Sequence, residues 1–121
     1  MTEKELFIEK IKARTKKFAL DIIAFYNDLP KNNLCYRLGD QLLRSGTSVG
    51  ANYRASCRAR SQAEFYSKIS IVIEEGDECG FWLELFIESG MRDTQETRRL
   101  LTEANELTSI MAKARKTISS R

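Results

Sequence analysis

Apolar residues return every third or fourth position along most of this chain, a spacing that lines one face of a helix and cannot line one face of a strand. From about Glu3 to Asn27 the row is Phe7, Ile11, Phe18, Ile22 and Phe25, with Thr15 filling the missing step. Asp28-Leu29-Pro30-Lys31-Asn32-Asn33 then stops the helix, because proline lacks the N–H of the backbone ladder and disfavours helix in the residue before it. Asn32 or Asn33 can cap the next helix, whose row runs Cys35, Leu38, Leu42, Ser45, Val49, Asn52 and Ser56. A third segment opens at Ser61, with Glu64 at the capping-box position. It continues through Tyr66, Ile69, Ile73, Gly76, Gly80, Leu83 and Ile87, broadened by Phe65, Val72, Cys79 and Phe86, to a Ser89-Gly90 stop. The fourth starts near Asp93-Thr94 and runs through Leu100, Ala104, Leu107, Met111, Ala114 and Ile118. Four amphipathic segments joined by short polar breaks predict an all-α, antiparallel up-down-up-down four-helix bundle, one domain over residues 1–121.

The second segment contains RSGTSVGANYRASCRARS at residues 44–61, rich in weak helix formers. Gly46 and Gly50 each cost about 1 kcal/mol relative to alanine in a helix interior. The stretch is not a phosphate loop, since it has neither a P-loop pattern nor GxGxxG and follows no strand. Because the 3-and-4 rhythm passes through it unbroken, its small residues predict close helix-helix approach. Asn52 then lies at the seam and is expected to hydrogen-bond across it. Ser45, Ser48, Asn52, Glu74, Glu78 and Trp82 are the expected packing or interface positions.

Charge is unevenly distributed. Residues 33–68 carry six Lys/Arg against two Asp/Glu, and residues 69–90 carry none against six. Arg37, Arg44 and Arg58 fall at heptad-related positions, with Arg54 and Arg60 extending the cluster. Two roles suit them: binding nucleic-acid phosphates, or neutralising the acids of the third helix across a subunit boundary. Glu74, Glu75 and Glu78 offer carboxylate oxygens for a hard cation, which makes a metal-dependent nucleotide phosphohydrolase the alternative from another class. The EExxE pattern is shared with all-α nucleotide pyrophosphohydrolases, but the downstream ExxD of their metal site is missing here. There is no histidine in the chain, which removes imidazole acid-base chemistry and the usual zinc sites. Cys35, Cys57 and Cys79 have no CxxC spacing and read as small apolar residues in a reducing compartment. No apolar run approaches the roughly 20 residues that span a bilayer, and a cytoplasmic protein without membrane contact is expected.

The segment LGDQLLRSGTSVGANYRASCRARSQAEFYSKISIVIEEGDECGFWLELF resembles the signature region of the 23S rRNA intervening-sequence protein family. The resemblance rests on Gln41-Leu42, Arg44-Ser45, Ser48-Val49, Asn52, Arg58, Arg60-Ser61 and Glu64-Phe65. It continues through Glu74-Glu75, Asp77-Glu78 and Trp82-Leu83-Glu84-Leu85. Many relatives have Ile-Ala-Glu-Gly after the asparagine, where this chain has Tyr53-Arg54-Ala55-Ser56, which places it in a divergent branch. The resemblance implies an antiparallel four-helix bundle that assembles as a homopentamer, similar to the accessory variability determinant proteins of diversity-generating retroelements. Genes of the family occur inside insertions in 23S rRNA genes and elsewhere in bacterial genomes. No established catalytic activity is implied, and RNA or DNA binding is the usual suggestion. The expectation is therefore a non-enzymatic oligomer, without metal or cofactor, that binds RNA, DNA or a nucleoprotein partner through basic surface. A protein adaptor is the further alternative.

Overall fold

The computed structural model describes residues 1–119, with side chains through residue 117. It contains four helices: α1 (Glu3–Asn27), α2 (Asn33–Cys57), α3 (Gln62–Glu88) and α4 (Gln95–Ser119). At 1.5 Å per residue each is roughly 40 Å long. Local chemistry sets their ends. The Thr2 hydroxyl accepts from the Glu5 N–H at 3.1 Å, the Asn32 side chain from the Cys35 N–H at 2.9 Å, and the Ser61 hydroxyl from the Glu64 N–H at 3.0 Å. Glu64 returns its carboxylate to the N–H of Arg60 at 3.4 Å, one residue before the expected capping-box partner. At the far end of α3, Gly90 takes φ of 75° and the Arg92 N–H closes on the Phe86 carbonyl at 3.0 Å, a reversal suited to a residue without Cβ.

Connections this short leave consecutive helices antiparallel and adjacent. Each helix lies alongside two neighbours, α2 on α1 and α3, and α4 on α3 and α1, and the diagonal pairs meet only through side chains in the core. The core holds Ile11, Phe18, Ile22 and Phe25 from α1 and Leu42 and Val49 from α2. Ile69, Val72, Leu83 and Phe86 of α3 meet Leu100, Leu107 and Met111 of α4 there. Phe25 meets Phe86 edge to face with centroids 5.3 Å apart. Two residues leave the predicted rows: Phe7 is 49% exposed and Tyr66 43%, Phe7 because it borders an open cleft at the end of the bundle, and Tyr66 because its ring is turned to the surface, where the Arg115 guanidinium lies 5.6 Å from its centroid. Ile118, on the predicted α4 row, lies outside the described side chains.

The glycines explain the low helix propensity of residues 44–61. A Cβ on Gly46 would stand 3.0 Å from two carbons of Ile22, and one on Gly50 would stand 3.4 Å from the Thr15 backbone. α1 thus crosses α2 where α2 has no side chains. α3 repeats the device against α4, where a Cβ on Gly76 would run into the Thr108 hydroxyl. The α1–α4 seam is built differently. It is the thinnest of the four, and ion pairs span it. Arg14 binds Glu103 through two bonds of 2.8 and 2.6 Å and also reaches Glu106, while Arg99 bonds Asp21 at 2.9 Å.

Candidate nucleic-acid interface

α2 buries Cys35, Leu42, Val49, Tyr53 and Ser56 toward the core, so the heptad spacing of Arg37, Arg44 and Arg58 turns all three to the opposite face. Arg37, Arg54 and Arg58 are exposed, and their guanidinium groups have no partner among the described residues. The stripe from Arg37 to Arg58 is about 30 Å long at the helical rise. Arg58 is the C-cap residue of α2, and Arg60 lies exposed in the turn before α3.

Arg44 differs from the others in the stripe. Its guanidinium reaches Glu75 at 3.0 Å and also pairs with Glu78, both on α3 of the same chain. The expected neutralisation of α3 acids is met for Arg44 within the chain itself, because the two carboxylates stand one turn apart at the α2 edge and one planar fork serves both. The Trp82 indole N–H adds a 3.2 Å bond to Glu78. Arg44 first, and Trp82 after it, hold the Glu78 carboxyl below its ordinary value.

This arrangement takes up two of the three carboxylates considered for a metal. Glu74 is exposed and unpartnered, and among the described residues no three acidic or other metal-ligating side chains converge.

The packing positions divide into buried and edge residues. Ser45 is buried, donates to the Gln41 carbonyl at 3.0 Å and accepts from the Cys79 thiol at 3.3 Å, which joins α2 to α3. Burial pushes the Cys79 thiol up to about 12. Ser48 and Asn52 are half-buried at the α2 edge. The expected bond from Asn52 across the seam is not made: its amide donates 2.9 Å to the Ser48 carbonyl on its own helix. A carbonyl one turn back is always within reach of such a side chain, whereas a partner on the next helix must be supplied by the sequence. Trp82 is half-buried and packs at 5.1 Å against Phe81, which is 52% exposed.

Sequence reasoning missed the Arg14 and Arg99 clusters and the cleft beside Phe7. The spacing of Arg14 and Arg99 on their own helices gives no sign of partners on the other. Phe7 gave a usable signal, since its row ends where the residues able to cover it, Ala59 and Ala114, are small.

The fold and site define a small all-α protein, an antiparallel four-helix bundle whose arginine-bearing α2 lies beside an acidic α3. The sequence profile of the 23S rRNA-intervening sequence proteins matches residues 9–113, and the chain belongs to that family. It is also similar to the crystal structure of a protein of the S23 ribosomal protein family from Bacteroides thetaiotaomicron, described as of unknown function. That similarity has a TM-score of 0.83 at 29% identity, covering 90% of this chain and 97% of the other. Comparison with curated proteins gives no match.

Proposed function

We propose that this chain forms a non-catalytic oligomer that binds RNA through the outer face of α2, with phosphate as the group recognised. The observation that carries the reading is the set of three exposed arginines, Arg37, Arg54 and Arg58, left unpaired on one helix while Arg44 is already neutralised. Guanidinium groups are fork donors matched to phosphate oxygens, and the one exposed aromatic of α2 among the described residues, Tyr36, stands at the Arg37 end, so the rest of the stripe offers bases no stacking surface. Binding is therefore electrostatic and tolerant of sequence, and repetition around an oligomer multiplies a modest patch.

The test replaces Arg37, Arg54 and Arg58 together by Gln. Wild-type binding to a structured RNA should weaken steeply with salt. The variant should bind less tightly, with its log-log salt slope reduced by roughly 0.7 to 0.9 for each phosphate no longer neutralised. Its mass by light scattering should match the wild type. A wild-type protein without RNA affinity at low salt defeats the reading and leaves the protein-adaptor role in its place.

A further inference from the structure

A cleft of about 540 Å³ opens at the end of the bundle where α1 and α3 begin and α2 and α4 finish. Phe7, Ile8, Tyr53, Phe65, Met111 and Ala114 form its apolar lining. Its depth follows from the core itself. Met111 and Tyr53 are 1% and 5% exposed, while Phe7, on the same row as Ile11, is left half uncovered. The rim is charged with one sign. Lys4 and Arg60 line it, and neither side chain has a partner among the described residues. Ser61, the N-cap of α3, and Gln62, its first residue, also line it; helix ends of both signs gather here, so the net positive charge of the rim comes from Lys4 and Arg60.

We propose that this cleft binds a small amphipathic anion, an alkyl chain ending in a carboxylate or phosphate. The volume falls within the range of small-molecule sites, roughly 300 to 1,000 Å³. Hydrocarbon needs no partners inside, and few are offered. The Ser56 hydroxyl donates to the Tyr53 carbonyl at 2.6 Å, and the Ser61 hydroxyl caps Glu64. The Gln62 amide, without a partner among the described residues, gives a nucleobase one polar side chain to bind there, so AMP is the competing ligand in the test. A cationic or neutral head group gains nothing from a rim whose charged side chains are Lys4 and Arg60. The site is distinct from the arginine stripe, and its assignment does not rest on RNA binding.

Cys57 supplies the readout, because it lines the cleft and is half-buried, whereas Cys35 and Cys79 are buried. The rate of Cys57 alkylation by iodoacetamide in the native protein is followed by mass spectrometry, with decyl phosphate, decanoate, decanol, decyltrimethylammonium or AMP added below any micelle concentration. Calorimetric titration with decyl phosphate runs alongside. The two alkyl anions should protect Cys57, decanol should need about tenfold more for the same protection, and the alkylammonium should not protect. Arg60→Gln with Lys4→Gln should weaken decyl phosphate binding about tenfold and leave decanol unchanged. Ala114→Trp, checked for native helicity, should abolish the calorimetric signal. Three results overturn the proposal: Cys57 inert in the ligand-free protein, which means that the chain or another copy already fills the cleft; equal protection by the alkylammonium; or AMP bound more tightly than the alkyl anions.

Discussion

Arg44 shows how one side chain can be withdrawn from a basic surface. Its guanidinium holds Glu75 and Glu78, and Glu78 in turn holds the Trp82 indole, so the linked side chains fix the outer edge where α2 meets α3. Arg44 is half exposed, which limits the pair to about 1 kcal/mol or less. The sign of its pH dependence follows from the lowered Glu78 carboxyl. A group whose folded value is depressed stabilises the fold above its ordinary value and loses that contribution as the pH falls through the folded value. Arg44→Gln should therefore be slightly less stable than wild type near neutrality, with the gap closing as the pH drops below the ordinary glutamate value of 4.5. Urea unfolding across that range measures it. A gap independent of pH would mean that Arg44 acts through packing of its aliphatic stem and not through Glu78.

Among the helices, glycine is the device that sets the spacing, and Gly76 gives the sharpest test. A Cβ there meets the Thr108 hydroxyl, which is itself bonded to the Ala104 carbonyl at 2.8 Å and cannot turn aside without losing that bond. Gly76→Ala should cost about 1 to 3 kcal/mol through overpacking, although alanine is intrinsically about 1 kcal/mol the better helix former. With Thr108→Ala also present, the same substitution should become neutral or stabilising. A four-member unfolding cycle reads the coupling, and no coupling would place the α3–α4 contact elsewhere. Such seams were legible in outline, because the rhythm through Ser45, Val49 and Ser56 and through Gly76 and Gly80 requires helix, and the caps at Asn32, Ser61 and Gly90 act within a few residues of themselves. Partners were not legible. The rhythm places Asn52 at an edge but does not say whether its amide turns across or back. Arg14 and Glu103 stand 89 positions apart and meet only once the register of α1 on α4 is fixed by the packing of every other helix.

At the scale of the whole molecule, two neighbouring helices present opposite unpaired charge. α2 shows Arg37, Arg54 and Arg58, and α3 shows Glu74, Asp77, Glu84 and Glu88, all exposed and without partners among the described residues. In the proposed oligomer these faces either meet across a boundary or remain apart. Interface centres are apolar and poor in charge. α3 has Phe81 and Ile71 exposed beside its acids, while α2 exposes Leu34 and Tyr36 beside Arg37 but no large apolar side chain between Arg44 and Arg58. On the proposed reading, assembly uses exposed apolar side chains such as these and leaves the α2 arginines for phosphate. Arg37, Arg54 and Arg58 changed together to Glu should keep the wild-type mass in light scattering and lose RNA binding. Mixing that variant with one in which Glu74, Glu84 and Glu88 are changed to Arg should create no new assembly. If instead the arginine variant dissociates and mixing the two charge-reversed proteins rebuilds the oligomer, the arginines of one copy pair with the acids of the next. The stripe is then an assembly contact in a head-to-tail arrangement, and the RNA surface must be sought on another face.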